Sequence, residues 1–155
     1  MATLDNLDKR ILELLQTNAR RSSEDIAECV GLSATAVQRR IKRLREQGVI
    51  LGDVALVSAE AVGRRVTALI EIELVAGSRE DLIDDFKRRM AAQPEVQQCY
   101  YVSGECDFFL VVTAEDLADY ERLTRRLFFG VDNIRKFRTT FVLDPVKVGL
   151  QLPIR

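Results

Sequence analysis

The feature that most constrains this chain is a change in the spacing of its apolar residues near residue 50. Before that point, apolar residues recur every three or four positions in segments at about residues 5–16, 22–31 and 33–47. After it, segments in which apolar and polar residues alternate are interspersed with segments whose apolar residues have helical spacing. Three- and four-residue spacing is typical of helices, and alternation is typical of half-buried strands. The sequence therefore predicts a helical N-terminal part followed by a mixed α+β part.

Capping residues and glycines mark the ends of the three N-terminal helices. The candidate N-caps, in chain order, are Asp5 or Asp8, Ser22 or Ser23, and Ser33. Short polar side chains of this kind accept hydrogen bonds from the free N–H groups of a first helical turn. Gly31 leaves only a short turn between the second and third helices, which is typical of a helix-turn-helix.

The third predicted helix is basic on the face opposite its apolar seam. Val37, Ile41 and Leu44 form the seam, and a rotation of about 100° per residue turns Thr35, Gln38, Arg39 and Lys42 away from it. A recognition helix enters the major groove with its first turns, so these residues predict DNA contacts. The predicted base contacts are Ser33, Thr35, Gln38 and Arg39, and the predicted phosphate contacts are Arg40, Lys42 and Arg43. A solvated basic face is the alternative interpretation, and the adjoining helix, turn and seam disfavour it.

The C-terminal part predicts the order strand, helix, strand, strand, helix, strand. The segments lie at about residues 66–75, 78–92, 96–103, 107–113, 116–128 and 134–143, with Ser78 as the cap of the first helix. This order predicts a ferredoxin-like βαββαβ fold, with both helices on one face of an antiparallel sheet. Because the strands carry apolar residues on both alternations, as at Leu69 and Ile70, we expect a second copy to cover the other face.

The domain boundaries follow from the same patterns. We predict an N-terminal (winged) helix-turn-helix domain at residues 1–51, a linker at 52–63, and a ferredoxin-like effector-binding and oligomerisation domain at 64–155. Residues 49–57 form either a short strand or an extended linker. Gly52 and Gly63 permit several orientations of the two domains.

Composition narrows the possible functions. The chain has no histidine, which removes the commonest general base and metal ligand. Its three cysteines, Cys29, Cys99 and Cys106, lack metal-ligand spacing and predict free buried thiols. We expect a non-enzyme without metal or cofactor. The net charge of −1 suits a DNA-binding protein only because basic residues gather in the third helix. With neither a signal sequence nor a long apolar run in the chain, we expect a cytoplasmic protein without membrane contact.

The chain resembles the Lrp/AsnC family of leucine-responsive and feast/famine regulators over nearly its whole length. In the N-terminal half the resemblance is carried by residues 7–12 (LDKRIL), 25–27 (DIA), 30–33 (VGLS), 37–44 (VQRRIKRL) and 48–50 (GVI). In the C-terminal half it is carried by residues 94–96 (PEV), 103–108 (SGECDF) and 139–143 (TTFVL). The resemblance implies double-stranded DNA as a partner, a dimer joined through the ferredoxin-like sheets and often assembled to an octamer, and amino acids bound between dimers.

The resemblance also implies where an effector binds. The family's Gly-x-x-Asp turn corresponds to Gly104 and Asp107, and the last strand contributes further contacts. The predicted effector-binding residues are Ser103, Gly104, Glu105, Asp107, Thr139 and Thr140. A zwitterionic amino acid needs N–H donors for its carboxylate and an acceptor for its ammonium group, and a glycine turn beside an aspartate offers both. The alternative is that Gly104 only makes the turn and Asp107 only satisfies local backbone groups.

Three other functions compete with this prediction. An architectural DNA-binding protein without an effector would bind DNA with low specificity and independently of ligand. Siroheme decarboxylases resemble these regulators in both domains but rely on histidines, which this chain lacks. A redox-sensing Cys106 would need an exposed thiol of lowered pKa, and the neighbouring Glu105 and Asp107 disfavour the thiolate.

Overall fold

The computed structural model describes residues 3–75 and 79–154. Within them the helices and strands are α1 (Asn6–Thr17), α2 (Ser23–Val30), α3 (Ala34–Glu46), β1 (Val66–Leu74), α4 (Glu80–Ala91), β2 (Val96–Tyr101), β3 (Phe108–Ala114), α5 (Leu117–Phe128) and β4 (Ile134–Phe141). The predicted order of elements is confirmed. The chain divides into two compact units, Met1–Leu56 with Lys147–Arg155, and Val57–Val146.

Three capped helices pack around one small core in the first unit. Asp5, Ser22 and Ser33 are the N-caps, and each side chain accepts a hydrogen bond from a backbone N–H of the first turn. Gly31 ends α2 in the left-handed region at φ 69°, a conformation that glycine adopts without a steric penalty. The fully buried core residues include Ile11, Ile26, Val37 and Leu44. The predicted seam of α3 is therefore confirmed at its two ends, while Ile41 between them is partly buried.

The segment after α3 has no strand among residues 49–57, so the extended-linker alternative describes it. The last residues of the chain bond to α1 within the same compact unit: the Leu152 backbone N–H donates to Gln16 Oε1 at 2.7 Å, and Gln16 Nε2 donates to the Leu152 carbonyl at 3.0 Å. Contacts of this kind do not show where an independently folding domain ends, so the boundaries at 51/52 and 63/64 stay a prediction.

The second unit is a four-stranded antiparallel sheet of order β2-β3-β1-β4. Side chains on one face of β1 and β3, such as Ile70, Ile72 and Leu110, are fully buried and form one core with Phe86 of α4 and the inner side of α5. The predicted ferredoxin-like arrangement is thus confirmed. Helix α4 begins at Glu80 after Arg79, which makes no side-chain capping bond; the predicted cap Ser78 lies outside the described residues.

The opposite face of the sheet stays partly open in the single chain. Leu69, Phe109 and Val111 are half-buried, and the strand register places Leu69 opposite both Val111 and Thr140. Cross-strand ion pairs lie next to this apolar surface: Arg138 reaches Glu71 at 2.6 Å, and Glu73 is approached by Arg135 at 3.7 Å and Lys136 at 4.0 Å. Apolar residues with charged neighbours are typical of the core and rim of a subunit interface.

Among residues 3–75 and 79–154, none of the helices has the length and apolar character needed to cross a bilayer.

Candidate DNA-binding helix and effector site

The outer face of α3 carries most of the predicted DNA contacts. Thr35, Gln38, Arg39 and Lys42 are exposed together on this face. Ser33 is also exposed, but its hydroxyl accepts a hydrogen bond from the Ala36 N–H at 3.2 Å and so acts as the helix cap. Lys42 approaches Glu46 at 3.8 Å with both side chains mostly in solvent, so this pair contributes little. The side chains of this face are available to a partner.

Arg40 and Arg43, two of the predicted phosphate contacts, bond to the start of α1. Arg40 Nη1 donates to Asp5 Oδ2 at 2.7 Å and to Asp8 Oδ1 at 2.8 Å. Arg43 Nη2 donates to the other Asp8 oxygen at 2.6 Å. The Arg40 side chain is only 22% exposed, whereas Arg43 keeps 44% of its surface in solvent. The structure therefore separates Arg40 from the exposed basic face and leaves Arg43 at its margin.

The carboxylates that receive these arginines also cap α1. Asp5 accepts a hydrogen bond from the Asp8 N–H, and Asp8 accepts one from the Asp5 N–H at 3.2 Å, which together form a capping box. The backbone N–H of Asp8 first, and then Arg40, hold the pKa of Asp5 below its ordinary value of 3.8. The same two carboxylates raise the pKa of Arg40. The site is a charge-neutral network of two acids and two arginines.

The sequence-based interpretation identified Asp8 only as a possible cap, although a stronger signal was present. Asp8 stands three and four residues before Ile11 and Leu12, on the buried side of α1, and its own side chain is 1% exposed. Arg40 stands three residues after Val37 and four before Leu44, on the seam side of α3. Charged residues of opposite sign at core-facing positions of two packed helices predict a buried ion pair.

The predicted effector turn lies between β2 and β3. Ser103, Gly104 and Glu105 are exposed, and Gly104 has φ +147°, in the region that favours glycine. Asp107 is half-buried and joins three strand ends. Its backbone N–H donates to the Ile72 carbonyl at 2.8 Å, its carbonyl accepts from Val102 at 2.9 Å, and its carboxylate accepts from the Leu74 N–H at 2.7 Å. Asp107 thus has a structural role in the sheet.

Thr139 and Thr140, the remaining predicted effector residues, lie on opposite faces of β4. Thr139 is on the helix-covered side and its hydroxyl bonds to the Tyr120 hydroxyl. It lines an open groove of about 350 Å³ between α5 and β4, with Phe129, Phe137 and Phe141. Thr140 is exposed on the other face, opposite Leu69. Two neighbouring strand residues cannot face one pocket, because successive side chains point to opposite sides of a sheet.

Within one chain, the turn and these threonines do not meet. Leu69 of β1 pairs with Thr140 on one side and with Val111 of β3 on the other. Val111 lies four residues after Asp107 in the chain. With the usual strand rise and spacing, Thr140 and Asp107 are on the order of 15 Å apart across the sheet. One site containing both therefore needs residues from more than one subunit.

The cysteines are free, as predicted, but they are not all buried. Cys29 is exposed, and Cys99 and Cys106 are half-buried. Burial and, after it, the carboxylates of Glu71 and Asp107 raise the pKa of the Cys106 thiol. A raised pKa disfavours the reactive thiolate that a redox sensor needs. In the part of the chain that the structure describes, no cluster of cysteine and acidic residues could hold a metal ion.

The two halves of the chain together define a DNA-binding regulator with a separate ligand-binding domain. Residues 4–45 match the model of the AsnC-type helix-turn-helix domain, and residues 67–152 match the Lrp/AsnC ligand-binding domain. The chain belongs to the Lrp/AsnC family of transcriptional regulators. The predicted family, fold class and regulatory function are confirmed, and the relatives are regulators and not enzymes.

Relatives match the whole chain and not only its parts. An uncharacterized HTH-type transcriptional regulator of Sinorhizobium fredii is 46% identical over 97% of this chain and 89% of its own length. The leucine-responsive regulatory protein of Rhizobium meliloti is 36% identical over 97% of this chain and 96% of its own length. Among solved structures, a transcriptional regulator from Neisseria meningitidis in complex with L-methionine aligns with a TM-score of 0.90 and 29% identity over 97% of both chains.

Proposed function

We propose that this regulator reads a specific DNA sequence through the outer face of α3 and that an amino acid or related metabolite controls its DNA binding or assembly. The observation that carries the proposal is the group of exposed side chains Thr35, Gln38, Arg39 and Lys42 on one face of a capped helix. Among the described residues, no acid lies within ion-pair distance of Arg39. A long basic side chain without an intramolecular partner is free to bond a guanine edge or a phosphate.

The reading helix divides its contacts by position. Thr35, Gln38 and Arg39 lie in the first half of α3, which enters the groove first, so they contact base edges. Ser33 contributes near the first turn while capping the helix. Lys42, in the second half, contacts a phosphate, and Arg43 reaches a phosphate only with the part of its guanidinium that Asp8 leaves free.

The working form of the protein is a homodimer joined through the open sheet faces, and dimers assemble further to an octamer. Half-buried Leu69, Phe109 and Val111 support the first step, because a surface of this kind is stabilised by burial against a copy of itself. The second step rests on the family alone. A dimer presents two copies of α3 to a pseudo-palindromic DNA site, and linked dimers add their affinities through effective concentration.

The effector binds at the turn of residues 103–107 between subunits. Backbone N–H groups of an exposed glycine turn suit a carboxylate, and Asp107 supplies the acceptor for an ammonium group. Because Thr139 and Thr140 face opposite sides of β4, one of them contributes to such a site, and only from another subunit. The neighbour from N. meningitidis was crystallised with L-methionine, as was the feast or famine regulatory protein of M. tuberculosis, which aligns with a TM-score of 0.88 at 31% identity over 99% of this chain and 100% of its own.

An effector controls assembly only if it binds one arrangement of subunits more tightly than another.

The cytoplasm is the compartment in which both DNA and free amino acids are available to the protein. The domain organisation proposed for this mechanism is a reading domain at residues 1–51, a linker at 52–63 and an effector-binding domain at 64–155.

A thermal-shift screen of the full-length chain against the protein amino acids tests the proposal. A ligand at a hundredfold excess over its Kd stabilises the folded state by about 2.7 kcal/mol, which is a shift of several degrees. We expect a shift with one or a few amino acids. Equal melting temperatures with all of them would contradict the amino-acid effector and would favour a DNA-binding protein that acts without one.

A further inference from the structure

The acid that anchors the reading helix is buried in the N-terminal unit. Asp8 is 1% exposed, and its two oxygens receive Arg40 at 2.8 Å and Arg43 at 2.6 Å. A buried carboxylate is costly unless it is paired and fully hydrogen-bonded. Asp8 meets that condition through two residues of α3 and the Asp5 N–H. The fold therefore tolerates this charge only while α3 is in place.

The two contacts restrict how α3 can rotate about its own axis. Arg40 and Arg43 are three residues apart, so they leave the helix on neighbouring sides one turn apart. Both reach the same carboxylate, and Arg40 also reaches Asp5 at 2.7 Å. Rotation of α3 in either direction breaks one of these bonds. The apolar seam alone, made of side chains without directional bonds, restricts the rotation less.

The network also changes which basic residues can act on DNA. Asp5 and Asp8 neutralise the charge of Arg40 and Arg43 in place. Arg40 is only 22% exposed, and its Nη1 is bonded to both carboxylates, so little of its guanidinium is available to a phosphate. The basic residues of α3 are therefore not equivalent, although they are adjacent in the sequence.

We propose that Asp8 is a positioning residue for DNA recognition: it fixes the rotation of α3 through Arg40 and Arg43, directs Arg39 and Lys42 to the DNA, and keeps Arg40 off the phosphates. The inference rests on the proposed reading role of the outer face of α3. It goes beyond that role, because it assigns specificity to an acid that never touches DNA.

The salt dependence of DNA binding separates the charges that contact phosphate from those that do not. Each phosphate contact contributes about 0.9 to the slope of log K against log salt. With the full-length protein and a random-sequence duplex, we expect Lys42→Gln to lower the slope by about 0.9 for each copy of α3 bound to the DNA, and Arg40→Gln to leave it unchanged. A slope lowered by that amount in Arg40→Gln would overturn the assignment of Arg40. An unchanged slope in Lys42→Gln would instead contradict the proposed reading face and not the role of Arg40.

The positioning role is tested by Asp8→Asn, compared with Glu13→Gln as its control. Both changes remove one negative charge from α1, but Glu13 is 43% exposed and pairs with the exposed Arg10 at 3.4 Å. The probe is a duplex selected from a random library by the wild-type protein, with the random duplex as reference. We expect the ratio of specific to random affinity to fall roughly tenfold in Asp8→Asn, the size of one lost base contact, and to stay constant in Glu13→Gln.

Folding is checked on the same samples by circular dichroism, and affinities are corrected for the folded fraction. A purely structural Asp8 would lower both affinities by the same factor and keep their ratio, and that result overturns the positioning role. If Asp8→Asn does not fold, Arg40→Gln replaces it, because Asp8 then keeps Arg43 as a partner. A reduced ratio at an unchanged salt slope in Arg40→Gln supports the proposal, and an unchanged ratio contradicts it.

Discussion

The carboxylate of Asp107 accepts a hydrogen bond from the backbone N–H of Leu74 at 2.7 Å, which ties the turn after β2 to the end of the central strand β1. The proposed effector acceptor is therefore also part of the sheet. A loss of effector response in a variant at this position is informative only if the hydrogen bond to Leu74 is preserved.

Asp107→Asn removes the negative charge and keeps an oxygen that can accept from Leu74. We expect the variant to lose any thermal shift with amino acids, because an amide oxygen pairs less strongly with an ammonium group. Its free energy of unfolding should fall by less than about 1 kcal/mol, whereas Asp107→Ala should lose about 1–3 kcal/mol with the buried N–H unpaired. Urea unfolding and the amino-acid screen measure the two effects, and an unchanged ligand shift in Asp107→Asn would remove Asp107 from the effector site.

Gly104 offers a second test of the same turn, because its φ of +147° is strained for any residue with a Cβ. A Cβ at this position meets nothing within 4 Å, so the cost of Gly104→Ala comes from the backbone and not from a clash. We expect a loss of about 1–3 kcal/mol in the free energy of unfolding. Gly52→Ala is the matched control, since Gly52 also has open space around it and no positive φ. Equal stabilities of the two variants would show that the turn relaxes without strain.

Most of the fold was predictable from residue spacing because burial acts on one face of each element. The alternation through Ala68, Ile70 and Ile72 predicted β1, and all three are fully buried. The three N-terminal helices were predictable because capping residues and glycines mark their ends. Periodicity also predicted the second apolar face of the sheet, on which Leu69 is half-buried.

The candidate sites were less predictable because they depend on pairing and register. A basic residue on α3 has the same appearance in the sequence whether it faces solvent or an acid on another helix, and only packing distinguishes Arg39 from Arg40. Likewise, Thr139 and Thr140 are neighbours in sequence, but strand geometry separates their side chains to opposite faces. The hydrogen bonds between Gln16 and Leu152 could not be predicted, because no pattern in the sequence near either residue indicates them.

The Asp5 carboxylate predicts a specific pH dependence of stability. Because the folded pKa of Asp5 lies below its ordinary value of 3.8, the carboxylate form stabilises the fold, chiefly through the Asp8 N–H and then Arg40. This contribution is fully present above 3.8 and is lost as the pH falls through the depressed pKa of the folded state. We expect Asp5→Asn to be less stable than the wild type near neutral pH, and the difference to shrink towards acid pH.

The comparison isolates the charge because asparagine is as good a helix N-cap as aspartate. Urea unfolding followed by circular dichroism, from about pH 6 down to about pH 2, measures the difference. Acids outside the Asp5–Arg40–Asp8 network cancel in the comparison, including Asp119, whose pKa is also lowered, first by the Glu115 N–H. A difference that stays constant over this range would show that the carboxylate of Asp5 contributes nothing through its charge.

The open face of the sheet predicts how the dimer can be broken. Val111 is half-buried at the centre of this face, opposite Leu69, so a lysine there would bury an unpaired charge in the proposed interface. We expect Val111→Lys to raise the dimer dissociation constant at least about 100-fold, measured by sedimentation at several concentrations. Leu82→Lys, an equivalent change at a 41% exposed residue of α4, should leave the dimer intact.

Loss of the dimer should also weaken DNA binding, because a pseudo-palindromic site needs two copies of α3 at a fixed spacing. Val111→Lys should therefore weaken binding to a selected site far more than binding to random DNA, while Leu82→Lys changes neither. If Val111→Lys stays dimeric at the wild-type dissociation constant, the subunits associate through another surface, and the apolar face around Leu69 is covered in some other way.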